Sequence, residues 1–412
     1  MGFSPDSLDV LNSVLIRSLG HWGISGYPNW MSTQLDHRVH SPNYWVWCLL
    51  SLIGMSNWEG WDSDYSSLSK TILDNFILLF HDLFLDGEET YSLSSMYPVK
   101  RYESGSLNRH PDSALAMFAG YAAMTGDLDA GAVRAIEEPR VWGWESYARN
   151  LYVSTQDYSA ISGNQILRAY YEDRGDLTTL YHGNGLLLSP AYVQETDRAV
   201  QWAMMVVSPN QPPFGSILNT ARAKPESVAV RVDDVELHAA SYEPLESNMA
   251  FDVIEKRSSW LEGKATMDLS FHQACIQRTF SLSAGVVGSD GFIRATFPSR
   301  DTVKGITICR GPEEPEEEIA TAGVPWEDVW YIHFDYGDYG YIVVQASPDR
   351  LPGLLTIRQS TPWEWDNGRG PCAVVEIPVA ANDGDLIVSH VIAFTNGTQD
   401  GAIAAARRAA SF

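Results

Sequence analysis

VWYIHFDYGDYGYIVVQA (Val329–Ala346) is the stretch whose reading decides the fold. It holds two short runs rich in aromatic and β-branched residues, VWYIHFD and GYIVVQA, separated by Asp and Gly, the residues that end strands. Outward from it the same pattern recurs in AVQWAMMVV (199–207), SVAVRVD (227–233), CIQRTFSL (275–282) and GFIRATF (291–297). It recurs again in GLLTIRQ (353–359), CAVVEIPV (372–379) and LIVSHVIAF (386–394). No helical segment intervenes, so these runs predict an antiparallel β-sandwich rather than a parallel sheet. A short Ala-rich helix, DGAIAAARRAA (400–410), closes the chain, and the acidic run GPEEPEEE (311–318) reads as a solvated loop.

The first third reads differently. Leu68, Ile72, Phe76, Leu79 and Leu83 recur at three- and four-residue steps, the apolar face of an amphipathic helix. SLDVLNSVLIRSLG (7–20) and NYWVWCLLSLIGM (43–55) read as two more helices, joined by the long loop HWGISGYPNWMSTQLDHRVHSP (21–42). Loops of that length in a compact domain are often functional. Between Tyr91 and Val193 the periodicity blurs. A chain of 412 residues exceeds what one core usually holds, so the fold class expected is α+β multidomain. Its expected parts are a mainly helical 1–185 and a β-sandwich with a short C-terminal helix over 186–412.

Lys and Arg number 28 against 52 Asp and Glu, a net charge of −24, which argues against nucleic acid or an anionic membrane surface as partner. The 14 Trp and 19 Tyr supply flat rings that pack cores or stack on sugars. The four cysteines (Cys48, Cys275, Cys309, Cys372) have neither disulfide-framework nor metal-ligand spacing and read as buried thiols. The first residues lack a signal-peptide pattern, so the expected location is cytoplasmic unless a leader has been removed. Short catalytic signatures such as GxSxG, HExxH and the phosphate-binding loops are missing. No metal or cofactor is expected. In the aromatic loop, His37, His40 and Tyr44 lie within eight residues, groups able to move protons near neutral pH.

Helices, a loop ending in His and Tyr, then many strands: this order resembles the family 8 polysaccharide lyases (hyaluronate, chondroitin AC and xanthan lyases). GYPNWMSTQLDHRVHSPNY places His37 on the family's histidine and Tyr44 near its tyrosine. LYHGNGLLL (180–188), MDLSFHQACIQRTFSL (267–282) and VWYIHFDYGDYGYIV (329–343) are similar to later family segments, in the same order. The resemblance implies an incomplete α/α toroid followed by antiparallel sheets, and β-elimination on a uronic-acid-containing polysaccharide. By resemblance Tyr44 is base and acid, His37 assists at the carboxylate, and Arg101 or Arg109 supplies a cation. The family's charge-neutralising asparagine lies upstream of the matching region, which leaves Asn29 or Asn43 for that role, with Trp22, Trp30 and Trp45 as stacking surfaces. Two other readings stand beside it. A glycoside hydrolase would use Glu364 and Asp366, or Glu59 and Asp62, as its carboxylate pair. A non-catalytic lyase scaffold would bind carbohydrate or a small molecule.

Overall fold

The computed structural model describes most of residues 140–188 and 202–237, and residues 251–359, 369–379 and 384–411 with short gaps. Within them the chain is mostly antiparallel sheet with little helix. The expected N-terminal helices lie outside the described residues.

A ten-stranded sheet forms the centre. Its order is β11 (Val235–Leu237), β10 (Ser227–Val232), β12 (Ile254–Trp260), β13 (Ala265–Phe271) and β14 (Cys275–Leu282). It continues with β23 (Leu386–Thr395), β20 (Gly340–Gln345), β19 (Tyr331–Asp335), β16 (Gly305–Cys309) and β17 (Glu317–Glu318). A six-stranded sheet runs β18 (Val324–Pro325), β21 (Leu354–Arg358), β22 (Arg369–Pro378), β15 (Phe292–Arg300), β8 (Ala203–Val207) and β9 (Ser216–Asn219). A five-stranded sheet runs β1 (Arg140–Trp144), β2 (Leu151–Ser154), β3 (Tyr158–Ser162), β6 (Leu177–His182) and β7 (Gly185–Leu188). The hairpin β4 (Gln165–Leu167) with β5 (Tyr170–Glu172) stands beside it. The pairings central to the fold, such as β14 with β23 and β15 with β22, are antiparallel. All nine strand-like runs form strands, because short β-branched and aromatic segments bounded by Gly, Asp and Pro fit a pleated, half-buried surface.

Burial follows the pleat. β13 alternates, with Ala265, Met267, Leu269 and Phe271 inward. Their counterparts on the six-stranded sheet are Ile293, Ala295 and Phe297 of β15, and Ala373, Val375 and Ile377 of β22. Leu151, Val153, Tyr158 and Leu180 of the five-stranded sheet join the same core. The blurred middle segment therefore forms strands where the described residues cover it, and it shares a core with the strands that follow. β20 and β23 are buried on both faces because the helix α1 (Gln399–Ala409) lies across the outer one. Ala402, Ala405, Ala406 and Ala409 form its contact face at helical spacing, and their small side chains let it approach closely. Thr398 caps its first turn by accepting the Gly401 N–H at 3.1 Å.

One polar knot fastens the three sheets. Asp176, just before β6, accepts from Arg278 Nε at 2.7 Å and from Arg278 Nη2 at 2.5 Å. It also accepts from the Leu177 N–H and the Thr220 hydroxyl, so both carboxylate oxygens are fully used. Arg278 Nη1 meets His390 Nε2 at 2.9 Å, and its guanidinium lies 5.7 Å from the Trp202 ring centroid. Nearby, the buried Lys256 ammonium donates to Ser162 Oγ at 3.1 Å.

Candidate functional site

The site lies at one end of the sheets, where β6, β23 and the β19–β20 turn meet. The turn follows from its sequence. The Asp335 carboxylate accepts the Gly337 N–H at 2.7 Å, and the Tyr336 N–H donates to the Tyr339 carbonyl at 3.0 Å. Gly337 has φ +103°, and a Cβ there would collide with Lys304 Nζ. Gly397, after β23, packs so closely on the Gly337 carbonyl that no side chain fits. These constraints set the rings of Tyr336 and Tyr339 parallel, 5.5 Å between centroids.

Five rings then run inward. Tyr339 stacks on His182 at 5.4 Å, His182 lies 6.3 Å from Phe394, and Phe394 stacks on Tyr158 at 4.7 Å. Such offset contacts contribute beyond area burial, roughly 0.5–1.5 kcal/mol per pair. The inner end is tied down by the Tyr158 hydroxyl, which donates to the His272 carbonyl at 2.7 Å. Tyr336, at the other end, is buried, while Tyr339 and His182, within the row, are half-buried.

Burial pulls His182 from the ordinary histidine range down to about 4, partly opposed by a hydrogen bond to the Thr395 backbone. Its imidazole is therefore neutral near pH 7, with one N–H given to the Thr395 carbonyl and the lone pair on the other nitrogen. The exposed Lys304 packs against Gly337, bringing a cation to the turn. The chemistry on offer is a half-buried aromatic edge, a neutral imidazole and the Lys304 cation at the turn.

His37, Tyr44, Arg101, Arg109, Trp22, Trp30, Asn29, Asn43 and Trp45 all lie outside the described residues, as do Glu59, Asp62, Glu364 and Asp366. His182 and Tyr339 belong to the segments LYHGNGLLL and VWYIHFDYGDYGYIV, but the sequence alone assigns neither a role. A histidine at a strand end before a Gly-Asn-Gly turn, and tyrosines flanking Gly-Asp, were the available signals. Cys275, Cys309 and Cys372 are buried free thiols. The acidic run is mostly exposed, but it ends in the edge strand β17 rather than being a loop throughout, and Glu316 turns inward.

The chain is similar in structure to heparan sulfate lyase HepC from Pedobacter heparinus, at 9% identity and TM-score 0.40, covering 87% of this chain and 52% of that one. It is similar to heparinase III at 12% identity and TM-score 0.35, covering 94% and 57%. A chondroitinase AC lyase gives 9% identity and TM-score 0.39, covering 87% and 53%. The chain spans about half the length of these structures. No family model and no curated protein matches it. Among the described residues, no helix is long and apolar enough to cross a membrane.

Proposed function

We propose that the chain is a carbohydrate-active lyase that cleaves a uronic-acid-containing polysaccharide by β-elimination. The observation that carries this reading is the stacking of His182 on Tyr339. Two segments about 150 residues apart, each similar to a lyase segment, bring a half-buried tyrosine and a neutral imidazole side by side. In the reaction a base removes the proton α to the uronate carboxylate. That electron pair becomes the new C=C bond, the bond to the β oxygen breaks, and the leaving oxygen takes a proton. Tyr44 is the proposed base and acid, with His37 and Arg101 or Arg109 at the carboxylate. Trp22, Trp30, Trp45, Asn29 and Asn43 are proposed to bind the chain. An imidazole titrating near 4 is too weak a base to hold the abstracted proton at neutral pH. The role assigned to His182 is therefore to accept a hydrogen bond from a sugar hydroxyl or from the reacting tyrosine.

The test is incubation with a panel of polyanionic glycans, following the absorbance of the conjugated double bond. Lyase action gives that absorbance. Reducing ends without it would establish a hydrolase, and neither product would leave a binding scaffold. Tyr44→Phe, which removes one oxygen and little volume, is expected to abolish turnover with the fold intact.

A further inference from the structure

Behind His182 lies a second constellation on the outer face of the ten-stranded sheet. The Glu316 carboxylate accepts from the Thr307 hydroxyl at 2.8 Å, the Tyr331 hydroxyl at 2.9 Å and His333 Nδ1 at 3.0 Å. These donors hold its carboxyl below the ordinary glutamate range against the opposing effect of burial. His333 is 2% exposed, and its other nitrogen lies 3.5 Å from Thr395 Oγ, the long end of hydrogen bonding. Thr395 Oγ also accepts the Gly397 N–H at 3.2 Å, beside the turn that carries Tyr339. The backbone carbonyl of the same threonine receives the His182 N–H.

The contacts form one chain. Glu316 accepts from His333 Nδ1, and the other ring nitrogen faces Thr395 Oγ. Thr395 Oγ also holds the Gly397 amide, so the side chain ties His333 to the turn after β23. Thr395 thus faces two histidines, one through its hydroxyl and one through its carbonyl.

We propose that Glu316, His333 and Thr395 are positioning residues for His182, fixing the end of β23 so that one imidazole tautomer is held against Tyr339. The catalytic consequence rests on the lyase reading; the tautomer and titration of His182 do not. The experiment is an NMR titration of the histidine side chains of the full chain, in the wild type and in Glu316→Gln, Thr395→Val and Thr395→Ser. Turnover on the best glycan of the panel is measured in parallel. Glu316→Gln and Thr395→Val are expected to shift the His182 titration and mix its tautomers. They should also lower kcat on the order of tenfold or more with KM little changed, as misplacement of a reacting group does. Thr395→Ser, which keeps the hydroxyl, is expected to restore both. If Glu316→Gln does not fold, the Thr395 pair decides the matter alone. A His182 titration and tautomer unchanged in Thr395→Val would overturn the proposal. Absence of turnover in the wild type, with the His182 shift present, would sink the lyase reading and leave the positioning intact.

Discussion

His390 and His182 are both pushed below the ordinary histidine range by burial, yet their surroundings differ in kind. His390 is 1% exposed, wedged between Arg278 and the edge of Phe297, whose ring centroid is 4.9 Å away. The nearby guanidinium adds to the effect of burial there. His182 has one face on a half-buried tyrosine and one hydrogen bond to backbone. The first histidine belongs to a knot whose donors and acceptors satisfy one another and hold three sheets in register. The second lies in the middle of a row of rings, beside the half-buried Tyr339. Polar residues in a β core thus serve two ends: one fastens sheets together, the other sits beside a half-buried ring.

The largest expected effect breaks the knot. Arg278→Met leaves the Asp176 carboxylate, 1% exposed, without its counter-charge, and is expected to cost about 3–5 kcal/mol of stability. Denaturant unfolding measures it, and a loss under about 1 kcal/mol would mean that the knot does not bind the sheets together. Adding Asp176→Leu to that variant should recover part of the loss, because no charge then stays buried alone.

His182→Gln comes next, on the other side of the comparison. It should lower kcat on the order of a hundredfold on the active glycan while leaving the midpoint of unfolding close to wild type. A large stability loss with unchanged kcat would instead place His182 with His390, as a packing residue.

Acid separates the two regions more gently. A histidine that titrates near 6.5 unfolded and about 4 folded binds its proton in the unfolded state first. Stability is therefore full above pH 6.5 and falls as pH drops toward 4. Glu316, held below its ordinary value, adds a loss of the same sign at lower pH. Thermal unfolding across pH 7 to 4 should show this slope, and His182→Phe should flatten part of it. An unchanged slope in that variant would assign the acid response to His390.

Legibility in the sequence followed the same division. LIVSHVIAF and GYIVVQA announce themselves because both faces of β23 and β20 are apolar, one on the core and one under α1. IEKRSSW did not read as a strand, since its inward positions after Ile254 include Lys256 and Ser258, which break the apolar alternation. The strands of residues 140–188 were hidden similarly by inward polar groups such as Ser162, and by their short length. The candidate site was half legible: both segments stood out by resemblance, but the contact between His182 and Tyr339 depends on a turn and a strand end far apart in sequence. Asp176 and Arg278, 102 residues apart, had no local signal at all.

The smallest expected effect completes the comparison on one sheet. Arg257 of β12 and Asp268 of β13 stand directly opposite each other and pair at 3.2 Å, on the open face of the sheet that buries Arg278. The Arg257 side chain is 65% exposed, so water already solvates it and screens the attraction, while fixing its long side chain costs rotamer entropy. Burial still raises the Asp268 carboxyl above its ordinary value, with Arg257 opposing it, so removing the arginine should raise it further. Arg257→Gln is expected to change stability by less than about 0.5 kcal/mol, against several for Arg278→Met. Equal losses from the two variants would show that the outer face is covered in solution, and that Arg257, like Arg278, is held where water does not reach.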